Sequence, residues 1–141
     1  LAIGRADERV RQLVTVPGVG NLVALTFTTA IDDPARFRSS RQVGAYFGLT
    51  PSRYQSGETD VTGRISKIGD HGVRTALYEA ANVMLTRPVK GSSLKDWALA
   101  IARRAGPRKA KVALARKLAV TLHRMLVDGT TFVPRPTPMA K

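Results

Sequence analysis

The sequence predicts a mainly α fold, and three observations carry that expectation. Val73, Ala76, Leu77, Ala80 and Met84 recur at the spacing of one helical stripe. Ala115, Leu118, Ala119, Leu122, Met125 and Leu126 repeat that spacing inside "RKAKVALARKLAVTLHRMLVDG", the longest uninterrupted run. Glycine and proline pairs punctuate the apolar segments at Pro17-Gly18, Gly48, Pro88, Gly106-Pro107 and Gly129, where helices are expected to stop.

Taken in order, residues 1–14 read as the end of a helix, with Ile3, Val10, Leu13 and Val14 near one stripe. "PGVG" at 17–20 breaks it. "NLVALTFTTAI" then suits a buried helix capped by Asn21, although its threonines leave a strand open. Asp32 or Asp33 can cap a short turn with Pro34 at its first position. Ser40 can cap a helix through Phe47 that ends at Gly48. A loop over 49–69 follows. Asp70 opens the first strongly periodic helix, and Ser92 or Ser93 caps a shorter one through Arg104. The last and longest helix stops at Gly129. On it Lys109, Arg116 and His123 fall every seventh residue, which predicts a polar face.

The chain of 141 residues suits one domain, and 43% hydrophobic residues suffice for a core. It begins at Leu1, which reads as a piece of a longer protein. The expected division is the end of a linker or coiled-coil helix over 1–12, a helical domain over 13–129, and a disordered Pro-rich tail over 130–141. No cysteine is present, so disulfides, thiol nucleophiles and cysteine zinc sites are excluded. No apolar run approaches the roughly 20 residues needed to span a bilayer.

Charge is the strongest compositional signal, at net +13. Residues 1–63 carry 7 basic and 6 acidic side chains, whereas residues 64–141 carry 16 and 4. A basic half of this kind points to a polyanion, most simply nucleic acid, with a solubilising surface and an anionic membrane as the alternatives; nucleic acid is the expected partner, and no membrane partner is expected.

Three stretches could carry chemistry. "LVTVPGVGNLVALTF" has the helix-hairpin-helix pattern, in which Gly18 and Gly20 permit a tight turn and free amides at a helix start to hold a phosphate. An ordinary turn between core helices is the plainer alternative. Arg103, Arg104, Arg108, Lys109, Lys111, Arg116 and Lys117 lie within 15 residues with no acid among them. Such density is self-repelling unless an anion relieves it, although most basic helix faces are simply solvated. Finally, "SRYQSGETDVTGRISKIGDHG" is a long cationic loop, and loops of about 20 residues are usually functional or disordered. In it Ser56 precedes Gly57 and is unhindered, while Arg53, Arg64 and Lys67 could grip a phosphodiester. Ser-Gly is also a common turn pair.

Metal chemistry is poorly supplied. His71 and His123 lack ligand spacing, and Glu58 with Asp60 is a weak pair for Mg²⁺. His71 reads as a helix-start residue. No phosphate-binding glycine loop of the nucleotide-binding types occurs.

Together "VPGVGNLVALTF", "ARFRSSRQVGAYFGLTP", "YQSGETDVTGRISKIGDHGVRTALYEAA" and the basic helix resemble the C-terminal transposase domain of the DEDD-type insertion-sequence transposases, the bridge-RNA-guided recombinases. The resemblance spans roughly residues 13–128. It implies a serine recombinase in which Ser56 attacks a DNA phosphodiester and forms a phosphoserine link. It also implies a separate RuvC-like domain with an Asp/Glu/Asp/Asp tetrad for Mg²⁺, and an active site shared between domains and protomers. On that basis this chain holds no cofactor and is inactive alone. DNA, a guide RNA and further copies of the chain are the implied partners, in the nucleoid-associated cytoplasm of a bacterium or archaeon. The competing expectation is a non-catalytic helix-hairpin-helix module that binds DNA or RNA.

Overall fold

In the computed structural model, residues 2–49 and 67–135 are described, with side chains for 7–49 and 71–135. They form α1 (Ala2–Leu13), α2 (Asn21–Ile31), a 3-10 turn (Pro34–Arg36), α3 (Ser40–Tyr46), α4 (Lys67–Thr86), α5 (Ser93–Ala105) and α6 (Pro107–Asp128). No strand occurs among the described residues, so the mainly α expectation holds for them.

In α2 the strand alternative is resolved. Ala24, Phe27, Thr28 and Ile31 are its buried residues, a spacing of three and four that only a helix places on one side. Thr28 donates its hydroxyl back to the Leu25 carbonyl at 3.1 Å, which satisfies it inside the helix. Asn21 is the first helical residue and not the cap. Gly20 occupies the cap position, and no side chain caps the helix. Asp32 closes it with a φ of 61°, while Arg36 donates to the carbonyls of Ile31 at 3.0 Å and Ala30 at 3.2 Å. Asp33 caps the 3-10 turn by accepting from the Ala35 amide at 3.0 Å, with Pro34 following it as expected.

Two more differences are local. Ser39, not Ser40, stands at the N-cap of α3; the Ser40 hydroxyl is engaged elsewhere. Helix α4 begins at Lys67, three residues before Asp70. Ser92 caps α5 by accepting from the Lys95 amide at 3.0 Å. Gly129 ends α6 in the left-handed region, with φ of 70°.

Helix α6 is the axis of the packing. It contacts α1, α3, α4, α5 and the 3-10 turn, while α2 packs on α1 and α4. The reason lies in its sequence. Leu114, Ala115, Leu118, Ala119, Leu122 and Met125 are all buried, and the alanines between larger residues let neighbouring helices approach closely. Gly44 serves the same end from α3, because a Cβ there would stand 3.1 Å from the Arg116 Cγ. Leu77, Ala80, Ala81 and Met84 of α4 and Phe27 and Ile31 of α2 complete the core.

His123 corrects the expected polar face. It is 2% exposed, not part of a basic surface. Its Nε2 donates to the Pro34 carbonyl at 2.9 Å and its Nδ1 meets the Ser40 hydroxyl at 2.8 Å. A seven-residue repeat drifts about 20° per heptad on a straight helix. That drift, with α3 and the 3-10 turn lying alongside, carries the third position of the series under cover.

The Pro-rich segment from 130 onward was expected to be disordered. Through residue 135 it runs as a strap. Gln12 donates to the carbonyls of Met125 and Thr130. The Phe132 amide donates to the Thr15 hydroxyl at 2.9 Å, and the Ser93 amide to the Pro134 carbonyl at 2.8 Å. Arg135 pairs with Asp96 at 2.9 Å. Residues 136–141 lie outside the described residues.

Gly18 sets the α1–α2 turn against α4. Its φ is +102°, and an added Cβ would lie 3.1 Å from the Ala80 carbonyl oxygen and 3.4 Å from the Met84 Cβ. Gly18→Ala therefore combines backbone strain with a tight contact, and is expected to lower unfolding stability by about 1–3 kcal/mol. Urea unfolding of the two proteins measures this directly.

Candidate nucleic-acid interface

The cations of the basic run gather where α5 turns into α6. Arg103 and Arg104 occupy the last turn of α5 and are exposed. There the helix dipole favours them. Arg108 and Lys109, also exposed, occupy the first turn of α6, where the dipole opposes them. No side chain caps that end of α6. Lys111 is half-buried, and Arg116 and Lys117 are exposed further along. Lys109 and Arg116 are separated by about two turns, or roughly 11 Å along the axis.

The described ion pairs are Arg11–Asp7, Arg124–Asp128 and Arg135–Asp96. None of the seven cations from Arg103 to Lys117 joins a carboxylate among the described residues. Their repulsion is left unrelieved within the described fold. A helix start without a cap, surrounded by unpaired arginine and lysine, is chemically suited to phosphate oxygens. Such contacts position a nucleic-acid backbone and read no base.

The glycine hairpin lies elsewhere. Gly18 and Gly20 border a groove of about 480 Å³ between α2 and α4, shared with Thr26, Gly72, Thr75 and Glu79. Gly18 is needed there for packing. Gly20 is open, with nothing within 4 Å of an added Cβ, and it precedes the uncapped start of α2. Glu79 is exposed on this groove, and its carboxylate opposes a phosphate seated near it.

Ser56, Arg53 and Arg64 lie outside the described residues, as do Glu58 and Asp60. Lys67 begins α4, and its backbone alone is described. The structure thus brings Arg108, Lys109, Lys111, Arg116 and Lys117 together on one helix and leaves Gly18 and Gly20 at the α2–α4 groove.

Three features were missed by sequence reasoning. Arg74 of α4 donates to the Phe47 carbonyl at 3.3 Å and lies 3.4 Å from the His71 Nδ1. It closes over Gly48, where an added Cβ would stand 2.9 Å from its Nη1. The end of α3 is thereby fastened to α4. Trp97 is exposed with Lys117 Nζ 5.1 Å from its ring centroid. The Ser40–His123 pair joins residues 83 positions apart. A spacing search cannot find such a pair, because helix packing alone creates it. Among the described residues no three His, Asp or Glu side chains gather as metal ligands, and no helix is long and apolar enough to cross a membrane.

The chain is similar to proteins encoded by bacterial mobile elements. It is 36% identical over 133 residues to the transposase for insertion sequence element IS1111A of Coxiella burnetii, covering 93% of this chain and 36% of that protein. It is 31% identical over 134 residues to a putative transposase, y4pF/y4sB, of Sinorhizobium fredii, covering 94% and 35%. It is 33% identical over 127 residues to the transposase for insertion sequence element IS1328 of Yersinia enterocolitica, covering 89% and 38%. The chain therefore spans a little over a third of the length of these relatives. The description "Transposase IS116/IS110/IS902 family" matches residues 10–112. That match runs from the second half of α1 into the second turn of α6, and by it this helical chain belongs to the IS116/IS110/IS902 family of insertion-sequence transposases.

Proposed function

We propose that this chain is the DNA-gripping, serine-bearing part of a transposase that cuts and rejoins DNA strands. The observation that carries the reading is the corner of cations at the α5–α6 turn that have no carboxylate partner among the described residues, in a member of a transposase family. Those side chains hold the sugar-phosphate backbone without regard to sequence.

Ser56 is the nucleophile in this reading. Its Oγ forms a bond to phosphorus while one P–O bond of the DNA strand breaks, and the departing oxygen takes a proton. The phosphoserine ester conserves the bond, so attack by a strand's hydroxyl can rejoin DNA and release the serine. Arg53, Arg64 and Lys67 neutralise the charge that develops on the phosphoryl oxygens.

The remainder of the protein supplies a RuvC-like domain whose Asp/Glu/Asp/Asp tetrad holds Mg²⁺. The chain alone is accordingly inert on DNA, and turnover by the purified chain would overturn the shared-site idea. The full-length protein acts as a homo-oligomer with a bridge RNA, in the nucleoid-associated cytoplasm of a bacterium or archaeon.

A salt titration tests the grip. The logarithm of duplex affinity should fall linearly with the logarithm of salt, by about 0.9 per phosphate neutralised. Arg108→Gln and Arg116→Gln should each flatten that slope by about one unit. A salt-independent affinity would reject the reading. Trapping a covalent protein–DNA adduct and mapping it by peptide mass tests the chemistry, with Ser56 as the expected site.

One observation favours a second reading. Gly20 is open and the start of α2 has no side-chain cap, as a helix-hairpin-helix phosphate site requires. A purely binding module of that kind predicts the same salt slope and no serine adduct.

A further inference from the structure

The strap over 130–135 borders a groove beside α5 and α6 that shares only Lys117 with the cationic run described above. Its volume is about 480 Å³. Leu94, Trp97, Met125, Phe132, Val133 and Pro134 make its walls apolar. Trp97 is the single tryptophan of the chain, and it is 37% exposed.

The charged groups that line this groove are cations, Lys117 and Arg124, with no carboxylate among the lining residues. Lys117 Nζ stands 5.1 Å from the indole centroid. Among the described residues Arg124 pairs only with Asp128, at 3.4 Å and with both side chains largely exposed, and such a pair exchanges readily for a better anion. Ser93, Thr121, Thr130 and Thr131 are also among the lining residues.

We propose that this groove binds an unpaired base of single-stranded DNA, stacked on Trp97, with the flanking phosphates on Lys117 and Arg124. The inference rests on the DNA-gripping function proposed above. An aromatic face beside cations is the combination that holds single strands, because every base has a π-face and every linkage a phosphate. The hydroxyls can serve the polar edges of the base. An apolar helix would cover the walls but strip water from two cations without giving them a partner, which is costly, and a second copy of the chain, at net +13, brings further positive charge against them. Lys117 also belongs to the cationic run on α6. A strand followed along that helix therefore arrives at the groove. A paired base has both faces already stacked and cannot enter.

The sole tryptophan makes the test direct. This chain is titrated with a single-stranded DNA 12-mer, the same sequence as duplex, an abasic 12-mer with the same phosphates, and the matching RNA. Indole emission is followed together with anisotropy of the labelled strands. Single-stranded DNA should quench emission saturably, while the abasic strand binds without quenching. Trp97→Ala should weaken single-stranded DNA by roughly 5- to 100-fold and leave abasic affinity unchanged. Trp97→Phe should restore most of the loss. Anisotropy without quenching, equal quenching by the abasic strand or the duplex, or RNA bound tenfold more tightly than DNA would each overturn the proposal. Absence of binding to every strand would overturn this site and the DNA-gripping reading together, and so distinguishes the two failures.

Discussion

Replacing Ser56 with alanine in the full-length protein is expected to abolish strand exchange and the covalent protein–DNA adduct together. In the proposed mechanism the hydroxyl supplies the atom that bonds to phosphorus, and alanine offers no substitute. Removing a nucleophile from a protein that works through a covalent intermediate costs on the order of 10⁴-fold or more in turnover. DNA affinity should change little, because one neutral hydroxyl contributes little beside the cations from Arg103 to Lys117. The diagnostic result is therefore a split between activity and binding. Excision assays and adduct trapping measure the first, and anisotropy the second. Recombination at the wild-type level in Ser56→Ala would sink the assignment. Equal loss of binding and activity would mean that residue 56 shapes the fold or the DNA contact and carries no chemistry.

Replacing His123 with alanine is expected to destabilise the fold by about 2–5 kcal/mol, through a cavity and the loss of two hydrogen bonds. The imidazole is buried where α6, α3 and the 3-10 turn meet. Phe37 packs edge-on to it with ring centroids 5.5 Å apart. Removing the ring leaves the Pro34 carbonyl and the Ser40 hydroxyl facing an apolar void. Ser40→Ala removes one of these bonds and should cost only about 1 kcal/mol. The double variant should cost less than the sum, because both changes break the same bond. Chemical unfolding of the four proteins completes the cycle. A loss under about 0.5 kcal/mol for His123→Ala, the size ordinary surface changes give, would show that the ring does not pin these elements.

The helices themselves were legible in the sequence. The Val73 to Met84 stripe and the Ala115 to Leu126 stripe mark faces that are buried or half-buried, since a period of three and four leaves a helix one apolar side. Their stops at Gly48, Gly106-Pro107 and Gly129 were equally legible, because local backbone chemistry ends a helix. Finer placements were not. Asn21 is a good cap by type, yet Gly20 took the cap position. Ser40 is a good cap too, yet its hydroxyl went to a histidine 83 residues away.

The candidate interface divides in the same way. That Arg103 to Lys117 hold no acid is a fact of the chain and needs no fold. That these cations have no carboxylate partner among the described residues is a tertiary fact, as are the covering of His123, the close approach of Gly18 to α4, and the groove under Trp97. Sequence determines what lies within a few residues along the chain: periodicity, turns, charge density, and the single tryptophan. Which side chains meet across helices depends on crossing angles and on the small residues that permit close approach. Burial energy summed over the whole core sets those, and no local spacing encodes it.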